Sequence, residues 1–143
     1  MKRFGSVILC FCVMITLAAC DTNIYYWTFD QSSSNVSAIA IVEIDDRGDG
    51  YTYTVVKSLD IGLVEQLYAD ISSLEMKKYG PNLKHPVDLS IVITFSNGEY
   101  DLISRIESAR FRYHESGELG PYISWLKCDQ EQFEALIEKY MNL

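Results

Sequence analysis

The spacing of the apolar residues changes along this chain, and that change limits the available folds more than any other feature. The segment 37–44 contains the β-favouring residues Ile39, Ile41 and Val42, and 51–56 has the alternating pattern of a half-buried strand. From Asp60 the apolar residues recur every three or four positions, as in an amphipathic helix. Alternation returns over 89–103, and the helical period returns near the carboxyl terminus. This order predicts an α+β fold, a two-layer sandwich whose antiparallel sheet has both helices on one face.

Two helices are expected from these patterns. The apolar stripe of the first consists of Ile61, Val64, Leu67, Tyr68, Ile71 and Leu74. Lys77 and Lys78 suit its negative carboxyl end, and Gly80 followed by Pro81 predicts where it stops. Asp129 and Gln132 have the spacing of a capping box at the start of the second helix. The stripe of that helix consists of Phe133, Leu136, Ile137 and Tyr140.

The remaining alternating segments predict strands. Asn97 and Gly98 are the residue pair that favours a type I′ turn, so 89–95 and 99–103 are expected to form a hairpin. The aromatic and β-favouring residues 24–29 predict an earlier strand, which ends at the polar loop 31–35. Segments 109–113 and 122–126 predict two more strands on either side of a turn.

The amino terminus has the organisation of a bacterial export signal. Lys2 and Arg3 precede an apolar run over 7–17, which is short for a membrane span but suited to a signal-peptide core. The run ends in Leu17, Ala18, Ala19 and Cys20, which resembles the lipobox of bacterial lipoproteins. That resemblance implies transfer of diacylglycerol to the Cys20 sulfur, cleavage between Ala19 and Cys20, and in many bacteria acylation of the new amine. Ordinary secretory cleavage is the alternative, but Leu17 is bulkier than the small residue it prefers.

This interpretation divides the chain into a lipoprotein signal peptide (1–19), a short lipidated tether (20–23) and one α+β domain (24–143). The chain resembles small lipoproteins of Gram-positive bacteria. The features that carry this resemblance are the lipobox, the Tyr-Gly-Pro sequence at 79–81, the Asn-Gly hairpin and the terminal Leu-Ile-Glu-Lys-Tyr at 136–140. The resemblance implies a location, lipid-anchored on the extracytoplasmic side of the cell membrane, and no particular activity. In a Gram-negative host, Asp21 beside the anchor favours retention in the inner membrane.

The chain is acidic, with 12 Lys and Arg against 20 Asp and Glu and a formal net charge of −8. Loss of Lys2 and Arg3 with the signal makes the charge of the mature protein −10. Such a surface disfavours nucleic acid and repels anionic headgroups. The acylated Cys20 is therefore expected to hold the protein on the bilayer, with the basic residues scattered in solvent.

The cysteines exclude an internal disulfide in the mature chain. Cys10 and Cys12 leave with the signal, and Cys20 becomes a thioether, so Cys128 is the single thiol. Cys128 precedes a predicted helix, whose amino terminus can lower a thiol pKa, but Asp129 and Glu131 oppose that effect. We expect a small buried thiol.

Few other residues suggest chemistry. Asp45, Asp46 and Asp49 resemble part of a calcium loop, but Arg47 and Val56 occupy positions where an EF-hand needs oxygen ligands. An acidic hairpin turn is the simpler interpretation, with weak calcium binding left open. The two imidazoles, His85 and His114, are too few for a histidine zinc site, and we expect neither a metal nor a cofactor.

The function predicted from the sequence is a membrane-anchored, non-enzymatic binding module that holds an envelope protein through its sheet face or through the loop 115–121. One form is an immunity or inhibitor lipoprotein that meets a basic toxin. The alternatives are a small hydrolase, which needs His114 beside Cys128 or paired carboxylates, and a structural envelope component. Aromatic residues that are either core or binding surface are Tyr25, Tyr26, Trp27, Tyr51, Tyr53, Tyr100, Phe111, Tyr113, Tyr122 and Trp125, of which Trp125 is expected to be buried.

Overall fold

The computed structural model describes residues 23–46, 51–78, 89–105, 108–111 and 126–143, with the backbone alone at 45–46, 51–52 and 109–111. The elements in these ranges are β1 (Val36–Asp46), β2 (Tyr51–Leu59), α1 (Val64–Ser72), β3 (Met76–Lys78), β4 (Leu89–Phe95), β5 (Tyr100–Ile103), β6 (Ala109–Phe111), β7 (Leu126–Cys128) and α2 (Gln130–Met141). Short 3₁₀ turns cover Ser33–Asn35 and Ile61–Leu63.

Five strands form one antiparallel sheet in the order β2-β1-β4-β5-β6. The predicted hairpin of β1 with β2 is present, and β1 pairs on its other side with β4, where Ile41 lies opposite Ile91. The strands β3 and β7 form a separate antiparallel pair. The α+β fold class predicted from the sequence is confirmed.

Both helices pack on one face of this sheet, which we call the inner face. Ile39, Ile41, Ile91, Ile93 and Ile103 point from the strands into the main core and are almost fully buried. The helices supply Leu67, Ile71, Phe133, Leu136, Ile137 and Tyr140 to the same cluster. The two apolar stripes predicted from the helical period therefore meet the alternating apolar residues of β1, β4 and β5.

The first helix ends earlier than its sequence predicts. The Asp60 carboxylate accepts from the Gly62 amide and caps the 3₁₀ turn that leads into α1, and α1 itself ends at Ser72. The Ser73 hydroxyl then donates to the Asp70 carbonyl at 2.7 Å. Lys77 and Lys78 lie in β3 and are not in the last helical turn, because strand pairing captures this segment. Gly80 and Pro81 lie outside the described residues.

The Asn97–Gly98 turn joins β4 to β5 in a different geometry from the predicted type I′ turn. Only Gly98 has a positive φ, at 85°, whereas a type I′ turn requires two such residues. The Gly98 amide donates to the Phe95 carbonyl, and the Phe95 amide donates to the Glu99 carbonyl. The result is a three-residue connection that ends in a left-handed glycine, which is compatible with the same sequence pair.

Segment 24–29 forms a single bridge where a strand was predicted. Tyr25 exchanges two backbone hydrogen bonds with Met76, and the pairing extends no further. Instead Trp27 enters the core, and the Phe29 ring stacks on Tyr68 with the ring centroids 3.7 Å apart. Side-chain packing therefore prevails over strand propensity here. Of the two later predicted strands, 109–111 lies in β6 and Leu126 lies in β7, whereas 112–113 and 122–125 lie outside the described residues.

Asp129 caps α2 as predicted, but the second hydrogen bond of the predicted capping box, between the Gln132 side chain and the Asp129 amide, does not form. The Asp129 carboxylate accepts from the Gln132 amide at 3.1 Å. The Gln132 side chain does not reach back to Asp129; its oxygen accepts from the Glu75 amide at 3.0 Å. The Asp129 amide in turn donates to the Glu75 carbonyl. These bonds join the start of α2 to the segment that follows α1.

A second link between the helices is the carboxylate of Asp70. It accepts from the Tyr140 hydroxyl at 2.7 Å and from the Lys139 ammonium at 2.6 Å. Burial, followed by the hydrogen bond to Asp70 and its negative charge, raises the pKa of Tyr140 above its usual value.

We predict that Tyr140→Phe lowers the free energy of unfolding by about 1 kcal/mol at neutral pH, since one hydrogen bond to a carboxylate is lost. In the unfolded chain Tyr140 ionises near its ordinary pKa of about 10, whereas the folded protein keeps the proton to higher pH. Stability therefore falls as the pH rises above about 10, and the variant lacks this part of the decline. Urea titrations across alkaline pH measure the difference, and parallel curves for the two proteins would contradict the assignment.

Candidate functional site

The sheet face opposite the helices is also apolar. Its central cluster consists of Val42, Ile44 and Val92, with Ala40, Tyr100 and Leu102 packed against it. Tyr53 and Val55 extend the surface onto β2, since they lie opposite Ile44 and Val42 in the strand register. We call these eight residues the outer face. Because α1 and α2 contact the inner face, no described helix covers it.

Exposure of the outer face increases toward its β2 edge. Val42 is fully buried and Ile44 nearly so, whereas Tyr53 is 52% exposed and Val55 is 50% exposed. Large half-exposed apolar side chains beside a buried apolar cluster are typical of a protein–protein contact surface. This gradient makes β2 the most accessible part of the face.

A β-bulge divides β2 into two halves. Val55 and Lys57 lie opposite the consecutive residues Val42 and Ile41, so Val56 is the extra residue on this strand. The bulge residue and the three residues before it, 53–56, are all exposed and include neither a charge nor a proline. Beyond the bulge, the Lys57 ammonium donates to the Met141 carbonyl at 2.9 Å. The residues 53–55 therefore lack the charge that usually protects an edge strand from further pairing.

The far edge of β2 is open within the described part of the chain, since β2 ends the five-stranded order. A groove of about 320 Å³ lies on the outer face across β2, β1 and β4. The side chains that give the groove its character are Ala40, Tyr53, Val55, Val92 and Thr94, with the half-exposed Ile61 at one end. An extended peptide paired with the β2 edge has backbone groups to bond with and the apolar side chains of Tyr53 and Val55 to contact.

Acidic residues adjoin this edge. Asp45 and Asp46 end β1, opposite Thr52 and Tyr51 in the register, and Asp49 follows in the connection to β2. The side chains of these three residues are not described, so the calcium possibility stays a prediction. Within the described part of the chain, no three His, Cys, Asp or Glu residues are grouped as metal ligands.

A larger groove, of about 460 Å³, lies between α2 and the end of β4. Its floor is apolar, and Arg105, Glu134 and Glu138 stand around it. The two glutamates lie one helical turn apart, which is the kind of carboxylate pair that a hydrolase needs. Both are exposed to solvent, unlike the apolar surroundings that make a carboxyl group a general acid. The side-chain amide of Gln130 also donates to the Glu134 carboxylate at 2.8 Å.

The thiol of Cys128 is a buried core group, as the sequence predicts. It lies in β7 opposite Met76 and is 2% exposed. Burial, with a further effect from the charge of Asp129, raises the pKa of Cys128 to about 12. The sulfur is therefore a neutral thiol at neutral pH, which makes it a poor nucleophile.

The other predicted site residues fall largely outside the described ranges. These are Ala19, Cys20, His85, His114 and Trp125 and the loop 115–121. Of the aromatic residues, Trp27 is buried in the main core, whereas Tyr26 and Tyr53 are about half exposed. The alternating pattern indicated strands with one buried and one exposed face, but it did not reveal that both faces of the sheet are apolar. The signal was present in β1 as the unbroken run of Ala38 to Val42.

Comparison with protein-family models, with curated proteins and with solved structures finds no match to this chain. None of the described helices is long and apolar enough to cross a membrane.

We predict that Cys128 in the folded protein reacts with iodoacetamide at neutral pH about a hundredfold more slowly than in urea, because burial and the raised pKa both suppress the thiolate. Peptide mapping by mass spectrometry identifies the modified residue. Equal rates in the two conditions would contradict a buried structural thiol and would restore it as a candidate nucleophile.

Proposed function

We propose that this protein is a lipid-anchored binding module that holds a cationic protein partner in the cell envelope, with no catalytic step of its own. The observation that carries the proposal is the half-exposed apolar surface of Tyr53 and Val55 on the open edge strand of the outer face. An exposed edge without protective charges favours pairing with another strand. A bound partner covers both the edge and the apolar side chains.

The expected partner is basic because the surface around it is acidic. The mature chain has a net charge of −10, which includes Asp45 and Asp46 at the end of β1 and Asp49 after it, against Arg47. A second copy of this chain has the same negative charge, which disfavours its binding to this surface. A cationic segment is attracted to the surface and associates with it faster. This is the charge relationship of an immunity or inhibitor protein with a basic toxin.

The lipid anchor is the second part of the proposal. It is supported by the sequence Leu17 to Cys20 after an apolar run with positive residues before it. Two or three acyl chains on Cys20 hold a protein at the bilayer far more firmly than one chain does. The domain begins within a few residues of Cys20, so its binding surface stays close to the membrane.

We predict that the protein extracted from the membrane has the mass of residues 20–143 plus its acyl groups. In Cys20→Ala the acyl mass and the cleavage before residue 20 are both lost, because no sulfur is available for lipid transfer. Intact mass spectrometry of the two proteins tests the anchor. Cleavage without added lipid in the unaltered chain would contradict it.

For the binding surface, we predict that the double variant Tyr53→Ser with Val55→Ser weakens capture of a basic envelope protein about tenfold or more. The immobilised full chain is incubated with envelope extract, and each captured protein is then purified and titrated against both chains by calorimetry.

Tyr26→Ser is the matched control, because Tyr26 is 53% exposed and lies away from the outer face. It should retain the affinity of the unaltered chain. Equal binding by the double variant, or sedimentation showing that 53–56 pairs with a second copy, would contradict the proposal.

A further inference from the structure

A basic cluster lies on the small β3–β7 sheet of this acidic protein. Lys77 and Lys127 are directly opposite each other in the ladder, and both side chains are exposed. The neighbouring pair, Met76 and Cys128, is buried, so the two lysines point away from the core on the same side. Directly opposed side chains are close neighbours, so one anion can lie near both ammonium groups.

Arg105 extends the cluster, since it borders the same surface groove as Lys77 and Lys127. We call Lys77, Arg105 and Lys127 the basic patch. Lys78 lies on the other face of the ladder, because successive residues of a strand point to opposite faces. Glu75 and Asp129 also border the groove, but the Asp129 carboxylate is engaged as the cap of α2. The patch contains three of the six Lys and Arg residues whose side chains the structure describes.

The patch lies beside the point where the chain leaves for its amino terminus. Tyr25 is bonded to Met76 through two backbone hydrogen bonds, and the Lys78 ammonium lies 5.0 Å from the centre of the Tyr25 ring. Cys20 precedes Tyr25 by five residues, so their Cα atoms are at most about 18 Å apart. Neighbouring strands are about 4.8 Å apart, which keeps Lys127 close to the same point.

We infer that the basic patch docks on the anionic headgroups of the membrane to which Cys20 is anchored. The inference rests on the lipid anchor of the proposed function and adds an orientation to it. The anchor brings the patch within reach of the headgroup phosphates, and the patch turns its own side of the domain toward them. The domain as a whole is repelled by an anionic bilayer, so this local attraction selects one orientation.

The experiment uses the full-length acylated protein reconstituted in vesicles of phosphatidylcholine, with or without phosphatidylglycerol. A brief pulse of a membrane-impermeant amine-acetylating reagent labels exposed lysines, and mass spectrometry measures each site. Lys77 and Lys127 should be labelled about threefold more slowly on the anionic vesicles, and added salt should remove that protection. Lys57 and Lys139 serve as internal references.

A pair of variants with equal net charge isolates the patch. Lys77→Gln should abolish the protection of Lys127 by anionic lipid, whereas Lys57→Gln should leave it unchanged. Thermal melts confirm that each variant is folded. Equal labelling on both vesicle types by a chain of acylated mass would overturn the docking inference alone. A chain that lacks acyl mass would overturn the anchor as well.

Discussion

The packing of both helices on one face of the sheet is the constraint on which the rest of the structure depends. Leu67, Ile71 and the stripe of α2 cover Ile41, Ile91 and Ile93, and burial of these side chains is the main source of stability. With both helices on the inner face, no described helix covers the second apolar face. The fold therefore produces an outer face whose centre is buried and whose β2 edge is half exposed.

The junction that joins α1 and β3 to β7 and α2 consists of polar contacts. The Glu75 amide donates to the Gln132 side chain, and the Glu75 carbonyl accepts from the Asp129 amide, at the start of α2. The Asp70 carboxylate accepts from Tyr140 and Lys139 near the end of α2. These polar contacts fix the helices along their length and bring β3 beside β7. The same junction places the basic patch next to Tyr25 and thus next to the tether. One set of contacts therefore determines both the core geometry and the surface near the proposed anchor.

Most of the fold was predictable because periodicity reports which residues are buried. The stripes of α1 and α2, the β1–β2 hairpin and the Asp129 cap follow from residue spacing alone. The errors occur where a tertiary contact overrides a local preference. Lys77 and Lys78 favour the end of a helix, but pairing with β7 places them in a strand. Tyr25 pairs with only one residue because Trp27 enters the core, and Gln132 reaches Glu75 in preference to its own helix.

The candidate surfaces were less predictable, since they depend on neighbours distant in sequence. Nothing in the spacing of Lys77 and Lys127 indicates that they lie opposite each other, and the bulge at Val56 that leaves 53–56 exposed has no distinctive residue. The buried, neutral state of Cys128 was predictable from its type and from Asp129, because both burial and a nearby carboxylate disfavour the thiolate.

The most direct test of the central claim is photo-crosslinking in living cells, with a photoreactive amino acid replacing Tyr53 in the full-length chain and, as a control, Tyr26. The account predicts that position 53 crosslinks to one basic envelope protein, that position 26 does not, and that Cys20→Ala abolishes the product. Crosslinks from position 53 to the chain's own residues alone, or identical products from both positions, would contradict the claim that the outer face is the partner-binding surface.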